Sequence, residues 1–436
     1  MATISWWRLA RFALLFVGFS SLGAATQAAT YYVSPSGSNS NPGTLSAPFQ
    51  TLQKAHDIAN AGDTIYMRGG TYPIDPNGIR ISRGGSSGNP ISVFNYPGDV
   101  PVLDGIAETI SYNSAIDIRA SFWHFKGLEI KNAPFQGIYV NVGSSDITVE
   151  LCNVHHNVRI NSNGQGINVA GSTGGNIVIL NNDVHHNGIL ESTGLPSTNT
   201  SSHGDGIGFA STAATGNIIR GNRVWRNNDD GIDLWAGENI LVDGNWVWES
   251  GILDNGSKGV DDGEGIKLGG GTASGGHRVQ NNLVWKNKGN GFTDNSSTLG
   301  STLYNNTSWA NYYQYSFYTL TLVNVLKNNL AFQDTGTGLV YLPNTSSVQQ
   351  NNSWNLPVTV NSAQFVSLDY SAAATTPRNA DGSLPTLGFL HLAAGSNLID
   401  KGVDVGLPYS GSAPDLGAYE FSGALPAPTN LRVVAP

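Results

Sequence analysis

Residues 281–287, NNLVWKN, decide the fold, because the same stretch returns along the chain as NNDVHHN at 181–187, GNRVWRN at 221–227, GNWVWES at 244–250 and NNTSWAN at 305–311. NNLAFQD at 328–334 and NNSWN at 351–355 continue the series, and LCNVHHN at 151–157 begins it with Cys152 in the Asn place. Taking Asn182, Asn222, Asn245, Asn282, Asn306, Asn329 and Asn351 as equivalent, the spacings are 40, 23, 37, 24, 23 and 22. The short spacings define a coil of 22 to 24 residues, and the two long ones are that coil carrying insertions, near 187–203 and 251–262. A period of this size with Val, Ile and Leu strands and no helical periodicity predicts an all-β parallel β-helix. Leucine-rich repeats share the length but carry a Leu framework that this chain lacks. The Asn series is expected to form a ladder of amides hydrogen-bonded from coil to coil.

Composition agrees. Charged residues are 12% of the 436, Gly reaches 54, and Asn recurs throughout, a balance that suits tight turns and excludes long charged helices. A solenoid needs no division into domains at this length, since each coil contacts only its neighbours. The net charge of -9 argues against a nucleic-acid partner, which requires gathered Lys and Arg. An anionic ligand would need a cation as bridge.

At the N-terminus Arg8 and Arg11 precede an apolar run, Phe12 to Leu22, and then small residues. That order reads as a secretory signal peptide over 1–29, leaving a β-helix domain at 30–424 and a disordered linker-like tail at 425–436. No later segment is apolar enough to span a membrane, so no membrane partner is expected. The mature chain would hold one cysteine, Cys152, which rules out disulfides and Cys-based zinc sites. Phe49, Leu52, Ala55 and Ile58 recur every third residue and predict a short helix capping the solenoid before the strand 64–67.

A second register places the chemistry. Gly137-Ile138, Gly166-Ile167, Gly206-Ile207, Gly231-Ile232, Gly265-Ile266 and Gly291-Phe292 recur once per coil. Asp205, Asp230 and Glu264 each precede the Gly, so they are expected to stack on successive coils about 4.8 Å apart. Asp233 and Lys267 each follow the Ile, and Asp229 adds a carboxylate. A bend at the Gly would let Asp205, Asp229, Asp230 and Asp233 converge, with Lys267 one coil away. Carboxylates packed so closely need a cation among them, and calcium, a hard ion that takes several oxygen ligands, suits them. Zinc suits them less, because His203 is the one imidazole near this register. An exposed acidic ladder is the bland alternative. Lys267 reads equally as a salt-bridge partner or as a base whose ammonium is disfavoured by burial and a nearby cation.

The stretches HGDGIGF (203–209), NNDDGIDLW (227–235) and GEGIKLGG (263–270), followed by GHRV and NGFTDN, resemble in order and spacing the pectate lyases of polysaccharide lyase family 9. The likeness runs from Tyr31 to about Thr293. It implies a right-handed parallel β-helix, calcium held by Asp205, Asp229, Asp230 and Asp233, and Lys267 as catalytic base. The implied partner is an acidic polysaccharide, polygalacturonate above all, cleaved by a secreted monomer through calcium-dependent β-elimination. A hydrolase using the same carboxylates, or a calcium-stabilised adhesin, are the rival classes.

Other residues receive plainer readings. His155-His156 and His185-His186 occupy the place later filled by Trp225, Trp248, Trp285 and Trp309, and a stacked aromatic column is expected there rather than a metal site. Trp235, just past Asp233, is positioned for sugar stacking. Arg278, Lys286 and Lys288 lie on following coils, from which they could contact substrate carboxylates, although exposed basic residues are ordinary. The segment 398–421 fits the closing coils and their cover.

Overall fold

The computed structural model describes residues 27–75, 78–160, 163–171, 174–196, 203–210, 215–270, 273–333 and 338–423. The expected tail, and all but the last three residues of the expected signal, lie outside that set. Three parallel sheets, one of twelve strands and two of ten, run the length of the molecule. The chain visits them in turn. Ile218–Arg220 lies in the twelve-stranded sheet, Arg223–Trp225 in the second and Ile232–Asp233 in the third. It then returns as Leu241–Asp243, pairing in parallel with Ile218–Arg220. This is a parallel β-helix, as the repeat predicts.

Each coil turns inward one or two apolar side chains per strand, and these form a continuous interior. Ile219, Val242, Val279 and Leu303 stack from the first sheet, Val224, Val247 and Val284 from the second, and Ile232, Ile266, Phe292 and Tyr315 from the third; all are fully buried. The helix Leu52–Ile58, started by the Thr51 side chain accepting the Lys54 N–H, lies against the strands Thr30–Val33 and Ile79–Ile81. Its Leu52 and Ala55 join the core.

The Asn-Asn and Gly-Asn pairs explain the corner between the first two sheets. The first residue of each pair has positive φ: Asn181 56°, Gly221 66°, Gly244 64°, Asn281 56°, Asn305 51° and Asn328 59°. Asn and Gly are the residues that tolerate this conformation best. The second residue carries the ladder. Asn282 Nδ2 donates to Val242 O at 3.0 Å and to Asn306 Oδ1 at 2.9 Å, while its Oδ1 accepts from the backbone N–H and Nδ2 of Asn245, both at 2.9 Å. The same pattern links Asn182, Asn222, Asn245, Asn306 and Asn329, and Cys152 N–H opens it by donating to Asn182 Oδ1.

One member of the predicted series is corrected. The last rung is Asn352, which accepts from Asn329 N–H and Nδ2 at 3.0 Å each. Asn351 is the left-handed turn residue, with φ 53°, and its Nδ2 donates out to Lys401 O. A second ladder, not anticipated from the sequence, occupies the next corner: Asn157, Asn187 and Asn227 are linked amide to amide, as are Asn287 and Asn311. Ser250 interrupts it, and its buried hydroxyl has no partner among the described residues.

The aromatic column forms as expected from His155 to Trp285, while Trp309 lies apart from it and stacks with Phe332. His155, His185, Trp225, Trp248 and Trp285 stack with ring centroids 4.1–4.9 Å apart on the outer face of the second sheet. A separate apolar cluster covers this face, built from the column and from Phe365, Phe389, Leu392, Leu398 and Leu416. The C-terminal segment therefore supplies the cover rather than further coils. Arg378 pins it, donating to Asn182 O, Gly221 O and Asp183, and Arg223 reaches back to Ala373 O and Thr376 O.

Two stability predictions follow from these corners. Asn282→Ala removes five buried hydrogen bonds, the fifth being Nδ2 to Gln280 O at 2.9 Å, and strands their partners, and is expected to cost about 3 kcal/mol or more; Asn281→Gly, at a position that Gly suits, should cost under about 0.5 kcal/mol. Equal effects in urea titrations would contradict the ladder. Burial, with neighbouring imidazole or guanidinium charge, holds His156 and His186 down at about 4. The fold therefore binds these imidazoles neutral, and their contribution to stability is full above about pH 6.5 and falls between there and about pH 4, by at most about 3 kcal/mol per imidazole. His156→Phe is expected to flatten that slope in melts at graded pH.

Candidate functional site

The outer face of the third sheet carries a row of mostly polar residues. In register along it stand Asn168, Gly208, Asp233, Lys267, Thr293 and Ser316. The repeated Gly stands just before Ile138, Ile167, Ile207, Ile232, Ile266 and Phe292 of this sheet. A Cβ at Gly231 would lie 2.3 Å from Val247 Cγ1 and 2.8 Å from Gly265 O, so only glycine lets the coil turn there. That turn brings the residue before it to the edge of that face.

Those residues form a third ladder, this one of acids. Asp230 N–H donates to Asp205 Oδ1 at 3.1 Å, Glu264 N–H to Asp230 Oδ1 at 2.7 Å, and Asn290 N–H to Glu264 Oε2. One oxygen of each carboxylate thus satisfies the following coil. The second oxygens of Asp205 and Asp230 face the site, whereas Glu264 Oε1 accepts from Asn290 Nδ2 at 3.0 Å. Asp205 Oδ2 accepts from Gln165 Nε2 at 3.3 Å, and Asp230 Oδ2 accepts from Lys267 Nζ at 2.9 Å. Asp229 joins from beside Asp230, its Oδ1 accepting Gly263 N–H and its Oδ2 lying 3.2 Å from His203 Nδ1.

Asp205, Asp229 and Asp230 each offer an oxygen within 4.8 Å of the others. Asp233 stands outside this group of three, because it belongs to the next row of the strand. Its Oδ2 lies 3.3 Å from Lys267 Nζ, and its Oδ1 is buried without a partner. Lys267 therefore sits between the two rows, bonded to one carboxylate of each.

The electrostatics express crowding. Burial, reinforced by Asp229 and Asp233, raises Asp205 well above the usual carboxylate range. Burial and Asp229 do the same to Asp230. Burial pushes Asp233 to about 6 against the pull of Lys267, and pushes Glu264 to about 7. Asp229 is the exception: burial would raise it, but hydrogen bonds from His203 and Gly263 N–H outweigh burial and hold it below the ordinary value. His203 is drawn up to about 9 by the same contact. For Lys267, burial disfavours the ammonium, yet Asp230, Asp233 and Asp205 together hold its proton well above the usual range. An all-oxygen donor set, three buried carboxylates in mutual contact and one orphaned carboxylate oxygen beside them fit a hard divalent cation.

Of the basic residues on later coils, none reaches the acids. Arg278 lies on the twelve-stranded sheet over Tyr304, and Lys286 sits above Trp309 and Tyr370 under the C-terminal cover. Lys288 donates to Asp261 O at the base of the second insertion. Gln165 and Asn290 were not singled out from the sequence, although Gln165-Gly166 and Asn290-Gly291 repeat the Asp205-Gly206 pattern and carried the signal.

Fold and site together define the class: a parallel β-helix with a buried cluster of carboxylates and a single lysine along one outer face. The chain belongs to the family described as Pel9A-like, right handed beta helix region, which it matches over residues 31–329. It is 32% identical over 404 residues to Pectate lyase L of Dickeya chrysanthemi, covering 89% of this chain and 90% of that one. To Pectate lyase PEL9 of Emericella nidulans it is 31% identical, covering 87% and 96%. The crystal structure of pectate lyase Pel9A superposes with a TM-score of 0.77 at 31% identity, over 90% of this chain and 96% of that one.

Removing the lysine tests the charge balance directly. In protein stripped of divalent ions, Lys267→Met should lose about 3 kcal/mol at neutral pH, because Asp230 is left buried without its counter-charge. Since the carboxyl pKa in the fold is raised, the deficit should shrink as pH falls and Asp230 takes up a proton; a deficit that does not change with pH would contradict this account.

Proposed function

We propose that this protein is a secreted pectate lyase that cleaves polygalacturonate or a related polyuronate by calcium-dependent β-elimination, with Lys267 as the Brønsted base. The observation that supports this reading is the placement of Lys267 between Asp230 and Asp233, on the outer face of a chain whose relatives bear the name pectate lyase. Asp205, Asp229, Asp230 and Asp233 are the residues that would hold calcium. A calcium ion bound there offsets the negative charge of a uronate carboxylate and so eases loss of the C5 proton beside it.

Lys267 must be neutral to accept that proton. Asp230 and Asp233 oppose this while their charge is unshared; once it is shared, the amine moves back toward neutrality. Lys267 then takes the C5 proton, the C5–H electron pair becomes the C4–C5 double bond, and the C4–O bond breaks. The leaving oxygen gains a proton, and Lys267 returns its own to solvent. Export is supported by Arg8, Arg11 and the apolar run from Phe12 to Leu22. Among the described residues no helix is long and apolar enough to cross a membrane.

The decisive assay follows the ultraviolet absorbance of the unsaturated product on polygalacturonate. Absorbance should rise with calcium and stop with a chelator, and Lys267→Ala should lower the rate about a thousandfold. Below the pKa of the loaded site kcat/KM should climb about tenfold per pH unit, because the neutral fraction of Lys267 does. New reducing ends without absorbance would instead establish hydrolysis.

A further inference from the structure

Trp235 is buried in none of the stacks that absorb the other large aromatics. Trp123, Trp225, Trp246, Trp248, Trp285 and Trp309 are all buried, whereas Trp235 is 44% exposed. It stands two residues past Asp233, in the turn that follows the strand Ile232–Asp233, with its Cβ beside Gly270 of the next coil. The same offset on the next three coils gives Gly269, Asn295 and Tyr318, following Lys267, Thr293 and Ser316, which are paired in register. Tyr318 is 40% exposed.

These residues are built together. Tyr318 Oη donates to Asn295 Oδ1 at 2.6 Å, and Asn295 Nδ2 donates to Gly269 O at 3.2 Å. The tyrosine ring is thereby fixed across the coil that separates it from Lys267. Between the two aromatics lie Gly269, Gly270 and the Asn295 amide: a Cβ on Gly270, at φ +142°, would lie 2.9 Å from Asn295 Nδ2 and 3.7 Å from Trp235 Cβ, so a side chain there would crowd the amide that holds Tyr318. Two exposed rings, three coil spacings or roughly 14 Å apart, thus bracket these residues beside Lys267.

We infer that Trp235 and Tyr318, with Asn295 holding the tyrosine, form a sugar-binding strip that seats the pyranose rings of the uronate chain along the coils following the acidic cluster. This rests on the polysaccharide reading of that face and deepens it. The chemistry fits because a uronate ring carries its charge at the edge and C–H groups on its face. The acids and their cation engage the edge, and an aromatic plane takes the face without adding charge. The strip is continuous with the acidic cluster along the solenoid axis.

The test compares Trp235→Ala, Tyr318→Ala and the double variant with the wild type on polygalacturonate. KM should rise roughly tenfold for each single change, a loss on the scale of one aromatic contact, with kcat within about twofold and the pH profile unmoved. A KM unchanged in both single variants, or a fall in kcat alone, overturns the strip. Failure of the lyase reading is separable: if the wild type shows no turnover, gel retardation by polygalacturonate is measured on the same variants. Retardation lost on Trp235→Ala supports the strip; retardation absent in the wild type, or retained in the variants, overturns it.

Discussion

Every coil of this molecule must satisfy the backbone N–H groups at its corners, where the chain leaves one sheet for the next and the ladder hydrogen bonds stop. A buried corner donor without an acceptor costs about 1–3 kcal/mol, and a solenoid repeats that cost once per coil. The solution is a side chain whose oxygen accepts from the coil above while its own nitrogen donates to the coil below. Asparagine has both groups on a short stem, which is why it recurs at the two corners flanking the second sheet. The positive-φ residue before each rung sets the turn, and the rung closes it.

The third corner uses the same device with the direction reversed and the charge changed. Asp205, Asp230 and Glu264 accept backbone N–H groups from the following coil, whereas Asn182 and Asn282 accept from the preceding one, and Asn290 continues the acidic row with Tyr313 N–H. Replacing an amide by a carboxylate preserves the acceptor and removes the donor, so it leaves a second oxygen with no structural duty. Asp205 and Asp230 each leave such an oxygen, and Asp229 beside them brings a third carboxylate oxygen within 4.8 Å; Glu264 spends its second oxygen on Asn290 Nδ2. The site is thus a structural ladder in which the unneeded half of each rung has become a ligand or a charge, and its geometry is as rigid as the coil itself. Its cost is mutual repulsion, visible in the raised carboxyls of Asp205 and Asp230, which Lys267 only partly relieves.

This equivalence explains what was legible in the sequence. Repetition at 22 to 24 residues exposed the solenoid, the first ladder and the aromatic column, because each depends on one residue type recurring at one place. The Gly register likewise exposed Asp205, Asp230, Glu264 and Lys267. What repetition does not mark was read less well. Asn351 and Asn352 are chemically identical neighbours, and only backbone conformation separates the turn residue from the rung. The convergence of Asp233 with the other acids was expected, but alternation along the strand keeps it a row away, joined to them through Lys267. Arg278 and Lys286 follow the acids in sequence yet face other sheets, since position within the coil, rather than order along the chain, decides which face a residue reaches.

The two insertions show how such a site tolerates variation beside it. Both leave the coil at the corner just before the acidic strands, and both are pinched at the neck. A Cβ on Gly204 would lie 2.7 Å from Gly188 Cα, and one on Gly263 3.0 Å from Gly251 Cα, so entry and exit touch and the loop between them adds length without displacing the coil. Asn228 N–H still bonds Asn187 O, and Lys288 N–H still bonds Ser250 O, across the places where the loops depart. The loops meet each other instead, through His186 and Asp254 at 2.9 Å. One side of the site can therefore change in length and chemistry while Asp205, Asp229 and Asp230 stay fixed by the ladder beneath. On the other side of the acids Trp235 and Tyr318 stand two residues past Asp233 and Ser316, which are tied into the register of the third sheet.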